Sequence, residues 1–188
     1  MRKLAVCNRK GGVGKTTTSV HLAAGMALAG VKTLLIDTDS QAHCGRLLGI
    51  DGGDSLDRAL SGDPPEPVRA RDNLDLLSCT RSVTEFATIQ PKRRLRREEI
   101  LTDVLAGITG YEYVILDTAP GFGDMSVNVL FYADVVLIPV SMEALSLEGL
   151  LAFQEEVVEI NKYSRLSVLG IVPTFADGRV GKTADIIH

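Results

Sequence analysis

A glycine-rich stretch near the start of the chain combines residue types that bind phosphate. It reads Arg9-Lys10-Gly11-Gly12-Val13-Gly14-Lys15-Thr16-Thr17. Its glycines allow positive φ angles, so that backbone N–H groups can turn inward around an anion. Lys15 supplies a point charge for the β- and γ-phosphates of a nucleotide, and the hydroxyl of Thr16 can ligate Mg²⁺. The stretch therefore predicts a site for a nucleoside triphosphate and Mg²⁺.

The surroundings of this stretch are those that a phosphate-binding loop requires. The apolar run Leu4-Ala5-Val6 precedes it, and a helical pattern follows it, so that the helix dipole adds positive potential at the loop. One position departs from the usual spacing, because Arg9 stands where a glycine is expected five residues before Gly14. A glycine-rich turn that merely contains a lysine is the less favoured interpretation.

Two further strand-like segments end in carboxylates that could act on the metal. Residues 31–36 lead to Asp37 and Asp39, and residues 113–116 lead to Asp117. In doubly wound sheets, ligands bind beyond the carboxyl ends of the strands. We expect Asp37 and Asp117 to act on the Mg²⁺ together with Thr16, and Asp39 to orient the attacking water. For Asp37 and Asp39, the alternative is that they are solvated loop charges.

Alternating strands and helices are predicted to position these groups. Apolar runs predict strands at residues 4–8, 31–36, 73–77, 113–117, 133–140 and 167–172. Helical patterns cover residues 16–29, 56–60, a segment near 95–105, and 142–160. Residues 49–70 otherwise form a surface loop in this interpretation. This order is typical of an α/β fold with a doubly wound, mostly parallel sheet and helices on both faces.

Length and composition limit the classes of protein that need to be considered. The chain has 188 residues, 45% of them hydrophobic, and its mean hydropathy is +0.15, which together predict one α/β domain spanning residues 1–188. No apolar run approaches about 18 residues, so no membrane contact is expected, and a cytoplasmic location is favoured. The net charge of −4 argues against a uniformly basic surface for nucleic acid, although it allows a local basic patch.

Other residues that could carry chemistry have simpler explanations. Cys7, Cys44 and Cys79 lack metal-ligand spacing, so free thiols are favoured over a disulfide or a zinc site. The basic run at 91–99 favours a solvated helix start over a contact with DNA or lipid phosphate. The sequence at 181–183 resembles a second phosphate loop, but it lacks the preceding glycine pair and does not directly follow a strand.

The sequence Lys-Gly-Gly-Val-Gly-Lys-Thr-Thr at residues 10–17 resembles the deviant Walker A motif of the ParA/MinD ATPases. Residues 37–41, Asp-Thr-Asp-Ser-Gln, are similar to that family's Asp-x-Asp-Pro-Gln, with Ser40 replacing the proline. Within the family, the sequences of these two motifs are most similar to those of ParA/Soj partition ATPases. The resemblance implies a P-loop NTPase fold that hydrolyses ATP. It also implies that Lys10 contacts the partner's nucleotide across an ATP-dependent homodimer, and that the backbone of Pro173 contacts adenine.

The resemblance further implies a partition or positioning function for DNA or another cargo. The ATP-bound dimer would bind nucleoid DNA without sequence preference, and a ParB-like partner or cargo adaptor would stimulate hydrolysis. A MinD-like membrane-associated ATPase and a small-molecule P-loop ligase of the dethiobiotin synthetase type remain alternatives. A nitrogenase-type reductase is rejected, because Pro120 stands where that group carries a cysteine. The likeness covers residues 1–175, and relatives usually continue further, so we expect this domain to lack C-terminal elements of the family.

Overall fold

The computed structural model describes residues 1–51, 53–80, 96–142 and 147–175. Within them the strands are β1 (Arg2–Val6), β2 (Thr33–Asp37), β3 (Val68–Arg71), β4 (Leu74–Ser78), β5 (Tyr113–Asp117), β6 (Val135–Ser141) and β7 (Ser167–Thr174). The helices are α1 (Lys15–Leu28), α2 (His43–Leu48), α3 (Ser55–Ser61), α4 (Ile100–Val104), α5 (Asp124–Tyr132) and α6 (Leu147–Asn161), and a short 3₁₀ turn (Arg97–Glu99) precedes α4. None of these helices is both long and apolar enough to cross a bilayer.

The strands form one seven-stranded sheet in the order β3-β4-β2-β5-β1-β6-β7. Every neighbouring pair is parallel except β3 and β4, which run antiparallel. The predicted doubly wound, mostly parallel sheet is therefore confirmed. The chain leaves β1 for β2, which lies on one side of β1 in the sheet, and it later leaves β5 for β6, which lies on the other side of β1. The loop that follows β1 thus lies at the switch point, where ligands bind in such sheets.

The core lies on both faces of the sheet, which explains why the central strands are almost wholly apolar. Along β1, alternate side chains point to opposite faces. Leu4 and Val6 pack with the buried face of α1, which includes Val20 and Ala23. Ala5 lies on the other face, in a cluster that receives buried side chains from α3, α4, α5 and α6. Strand β1 is thereby fixed between two hydrophobic layers, and its carboxyl end is held rigidly.

Three elements were not predicted from the sequence. Helix α2 has six residues and no clear apolar period, and it begins after Ala42 in the left-handed region at φ 49°. Strand β3 is a four-residue edge strand within the predicted loop. Helix α5 lies in a stretch for which no element was predicted. The predicted helix over 142–160 is described from Leu147 to Asn161, and residues 143–146 of that prediction lie outside the described residues. Two sequence predictions lie outside the described residues: the part of the basic run at 91–95 and the loop-like sequence at 181–183.

Candidate nucleotide site

The phosphate loop connects β1 to α1 and has the curvature that its glycines predicted. Gly12 has φ 70° and Gly14 has φ 82°, both in the left-handed region that favours glycine. Val13 between them is buried, whereas Gly11 and Gly12 are exposed. Gly14 immediately precedes α1, and its carbonyl oxygen accepts a hydrogen bond from the N–H of Thr18 at 2.9 Å. The loop therefore presents backbone N–H groups at the N-terminus of a 14-residue helix.

The two lysines of the loop differ in burial. Lys15 is 6% exposed, and its Nζ donates a hydrogen bond to the carbonyl oxygen of Lys10 at 2.9 Å. Burial lowers the pKa of Lys15, and nearby groups that include Asp117 and Asp39 partly offset this effect. Lys10, near the start of the loop, is exposed. The two lysines of the loop thus differ in exposure, with Lys15 buried and Lys10 accessible to solvent.

Neighbouring strands and loops hold the phosphate loop in place. The Asn8 side-chain amide donates to the carbonyl of Pro139 in β6 at 2.7 Å, and its oxygen accepts the N–H of Lys10 at 3.0 Å. The hydroxyl of Thr174, at the end of β7, donates to the carbonyl of Val13 at 2.9 Å. The contacts of Asn8 with Pro139 and of Thr174 with Val13 join residues 131 and 161 positions apart, so no local sequence pattern could have revealed them.

Asp37 and Asp117 meet at the carboxyl edge of the sheet, and both are fully buried. Both oxygens of Asp37 accept backbone N–H groups, Oδ1 from Asp39 at 3.1 Å and Oδ2 from Cys44 at 2.9 Å. In Asp117, Oδ1 accepts the hydroxyl of Ser19 at 2.8 Å, and Oδ2 accepts the thiol of Cys44 at 3.5 Å. Hydrogen bonds therefore fix the orientation of both carboxylates.

The electrostatics of this pair favour a bound cation. Burial first, and the neighbouring Asp117 carboxylate second, raise the pKa of Asp37 to about 7. Burial also raises the pKa of Asp117, although hydrogen bonds from Thr16 and Ser19 oppose this shift. Two adjacent buried carboxylates repel each other, and a divalent ion would offset that repulsion. Carboxylate and hydroxyl oxygens are the hard ligands that Mg²⁺ prefers, so Thr16, Asp37 and Asp117 fit the predicted metal.

Asp39 lies at the same edge, in the tight turn that follows β2. It is 9% exposed, and its Oδ1 accepts the N–H of Gln41 at 3.0 Å. The hydroxyl of the intervening Thr38 donates to the carbonyl oxygen of Asp117 at 2.6 Å, which ties this turn to β5. The turn therefore holds Asp39 next to the carboxylates of Asp37 and Asp117 rather than in a solvated loop.

Two residues of the site were missed by the sequence analysis. Ser19 lies one helical turn after Lys15, so its contact with Asp117 could have been expected from the i, i+4 spacing. Cys44 carries no such signal, yet its sulfur forms a cluster with Asp37 and Asp117 whose ligand atoms all lie within 4.8 Å of one another. Burial, followed by the two carboxylates, raises the pKa of Cys44 far above its ordinary value, so the thiol is neutral. All three cysteines are free, as predicted, and all three are buried.

The remaining predicted residues lie at the margin of the site. Thr17 is exposed on α1, and its carbonyl oxygen lies 2.8 Å from Nδ1 of His21. Pro173 is exposed in β7, one residue before Thr174, which contacts the phosphate loop. A role for the Pro173 backbone near adenine stays a prediction.

The loop at the switch point, with paired carboxylates beside it, defines a P-loop nucleoside triphosphatase. The profile of a family described as an AAA domain matches residues 1–168. The chromosome-partitioning ATPase Soj of Thermus thermophilus is 37% identical over 183 residues, which cover 95% of this chain and 71% of that protein. The chain belongs to the Soj/ParA family of partitioning ATPases.

Two solved structures extend the likeness across the whole fold. Cobyrinic acid a,c-diamide synthase from Mycobacterium smegmatis, with a bound ATP analogue and magnesium, superposes with a TM-score of 0.90 at 31% identity, over 100% of this chain and 78% of that chain. A plasmid partition protein from Borrelia burgdorferi superposes with a TM-score of 0.81 at 26% identity, over 99% and 84% of the respective chains. The same fold therefore occurs in a partition protein and in a protein named as a biosynthetic enzyme.

Proposed function

We propose that this ATPase is a dimerising switch that partitions or positions DNA or another cargo. The observation that supports the proposal is the difference in burial between the two lysines of the loop. Lys15 is buried, whereas Lys10 is exposed near the start of the loop. A buried ammonium in the loop suits the nucleotide of its own protomer, and an exposed one is accessible to the nucleotide of a second protomer that approaches face to face. A C2-symmetric pair would bring each Lys10 to the opposite site.

In this proposal, the loop residues 10–17 bind ATP, and the carboxyl edge of the sheet binds Mg²⁺. Lys15 and the backbone N–H groups hold the β- and γ-phosphates, while Thr16, Asp37 and Asp117 hold the metal and its water ligands. Mg²⁺ would neutralise the negative charge on the phosphates. Asp39 orients the attacking water, since phosphoryl transfer depends mainly on positioning and charge stabilisation. The ATP analogue and magnesium bound to the synthase from M. smegmatis support this assignment.

The nucleotide-bound dimer would bind DNA through phosphate contacts that weaken with salt. A ParB-like protein or a cargo adaptor would then stimulate hydrolysis and release the dimer. The name of the Thermus relative, a chromosome-partitioning ATPase, supports such a cycle. A cytoplasmic, nucleoid-associated location follows from the proposed DNA contact.

Size-exclusion chromatography with light scattering tests the switch. The protein is run with ADP and with a non-hydrolysable ATP analogue, and each run is repeated with a random-sequence DNA duplex. We expect a dimer only with the analogue, and co-elution with DNA only for that dimer. Lys10→Ala should retain nucleotide affinity but remain a monomer. Lys32→Ala, which removes an exposed lysine beside the amino end of β2, is the matched control and should dimerise normally. Unchanged dimer formation by Lys10→Ala would contradict the proposal.

A small-molecule ligase is a second candidate, favoured by the likeness to the diamide synthase at 31% identity. Such an enzyme would consume ATP only in the presence of a carboxylic acid substrate and a nitrogen donor. It would also keep the same oligomeric state with ADP and with the ATP analogue. The chromatography described above therefore separates the two candidates, because a nucleotide-independent oligomer would favour the ligase.

A further inference from the structure

An ion pair links the first residue of the phosphate loop to helix α6. Nη1 of Arg9 lies 2.7 Å from Oε1 of Glu156, and the two side chains are 48% and 23% exposed. The second oxygen of this carboxylate, Oε2, is buried and has no hydrogen-bond partner among the described residues. Burial disfavours the charge on Glu156, so the carboxylate depends on Arg9 for compensation. The pair therefore joins α6 to the start of the loop.

Two further contacts connect the phosphate loop and helix α6 through the loop that follows β5. The carbonyl oxygen of Arg9 accepts the N–H of Gly121, in the loop after β5, at 2.8 Å. The next residue, Phe122, meets Phe153 of α6 edge to face, with ring centroids 6.4 Å apart and an interplanar angle of 81°. Phe153 lies one helical turn before Glu156. Helix α6 thus contacts both loops that follow the central strands β1 and β5, and those two loops contact each other.

We propose that Glu156 is a positioning residue for ATP, which acts through Arg9 to hold the phosphate loop in its binding conformation. The loop contains three glycines, and a glycine-rich segment has high conformational entropy. Its N–H groups can converge on phosphate only when the segment is ordered. Contacts that order the loop before ATP arrives reduce the entropy lost on binding, and so they raise affinity. Arg9, which stands two positions before the first of these glycines, is fixed both through its guanidinium and through its carbonyl.

The test must separate this positioning from the effect of charge near a triphosphate. Either single substitution alters the net charge at the loop, and this alone changes attraction for ATP. The double variant Arg9→Gln/Glu156→Gln removes the ion pair and keeps the net charge. We expect its KM for ATP to rise about two- to five-fold, the size that fits a partly exposed ion pair. Its kcat should stay within about two-fold, since Lys15 and the carboxylates at the sheet edge are untouched.

A reversed pair and a distant pair serve as controls. Arg9→Glu/Glu156→Arg restores an ion pair, and it should return KM to within about two-fold of the original. Arg58→Gln/Asp54→Asn removes an exposed ion pair of 3.3 Å between α3 and the residue before it, again without a change in net charge. This second variant should leave KM unchanged. Melting temperatures of all variants verify that the fold is kept.

Hydrogen exchange of the nucleotide-free protein gives a readout that does not depend on turnover. Amides in residues 10–15 should exchange faster in Arg9→Gln/Glu156→Gln and return to the original rate in the reversed pair. An unchanged KM and unchanged exchange in the double neutral variant would overturn the proposal. The proposal would also be overturned if kcat and the melting temperature both fell, and by the same amount in Arg9→Gln/Glu156→Gln as in Arg9→Glu/Glu156→Arg. That result would indicate only a structural role for the pair.

Discussion

Asp37 and Asp117 are register partners in neighbouring parallel strands, each the last residue of its strand. Their carboxylates therefore stand side by side at one edge of the sheet, although the two residues are far apart in the sequence. Both are buried, and the repulsion between them helps to raise the pKa of Asp37 to about 7. Such an arrangement costs stability in the nucleotide-free protein, and it is expected where a cation must bind.

This relationship predicts opposite effects of two similar substitutions. Asp117→Asn removes one of the repelling charges, its amide oxygen can still accept the hydroxyl of Ser19, and its NH₂ can donate to the sulfur of Cys44. We expect it to stabilise the nucleotide-free protein by about 1 kcal/mol, because the repulsion that helps to raise the pKa of Asp37 is removed. Asp37→Asn should destabilise by about 1–2 kcal/mol, because both its oxygens accept backbone N–H groups and an amide NH₂ cannot replace the second oxygen.

Urea unfolding at pH 8, without nucleotide or Mg²⁺, measures both changes. This pH lies above the pKa of about 7 of Asp37, so its carboxyl is ionised. Both variants should lose Mg²⁺-dependent ATP hydrolysis. A shift of the same sign in the two unfolding curves would show that the repulsion is not what limits stability at this edge.

Lys15→Ala should weaken ATP binding strongly, because the ammonium is buried inside the phosphate loop. A charge-assisted hydrogen bond is worth about 1.5–3 kcal/mol, so the expected loss of affinity is about 10- to 100-fold or more. Isothermal titration calorimetry with a non-hydrolysable analogue measures it. Lys32→Ala, on the opposite edge of the sheet, is the control and should bind normally. If Lys15→Ala retained the original affinity, the loop would not be the phosphate site.

Asp39→Ala should separate ATP binding from ATP hydrolysis. The carboxylate lies beside Asp37 and Asp117 but is not expected to hold phosphate, so nucleotide affinity should change by less than about three-fold. Turnover should fall by about 100-fold, the effect typical of a lost group that positions a reacting water. Steady-state phosphate release and calorimetry provide the two numbers. Asp72→Ala, an exposed carboxylate before β4, serves as control. Normal turnover by Asp39→Ala would remove this residue from the proposed mechanism.

Two glycine substitutions should act in opposite directions. Gly14 has φ 82°, and an added Cβ would contact Cγ2 of Thr174 at 3.4 Å, so backbone strain rather than lack of space is the main cost. We expect Gly14→Ala to destabilise by about 1–2 kcal/mol and to weaken ATP binding as the loop N–H groups are displaced. Gly25 lies within α1 with nothing close to its Cβ position, and Gly25→Ala should stabilise by up to about 1 kcal/mol. Thermal melts measure the two stabilities, and calorimetry measures ATP binding. A change of melting temperature with the same sign in both variants would contradict this account.

Much of the site could be predicted from local sequence. The loop residues Gly11 to Thr16 are contiguous, and Asp37 and Asp117 each follow an apolar strand, so motif spacing and strand periodicity were sufficient. The same reasoning failed for α2, whose six residues lack an apolar period and whose start requires a left-handed Ala42. It also failed for Cys44, because that residue enters the site only through the turn between β2 and α2.

The sequence by itself determined most of the strands, the glycine-rich loop proposed to bind phosphate, and the carboxylates that end β2 and β5, because these features depend on residues that are neighbours along the chain. Tertiary structure alone decided that Asp37 faces Asp117, that Thr174 closes onto Val13 and that Glu156 reaches Arg9. These contacts depend on strand order and register, which arise when both faces of the sheet are buried at once. A local pattern cannot encode them, since each joins residues that only the packed core brings together.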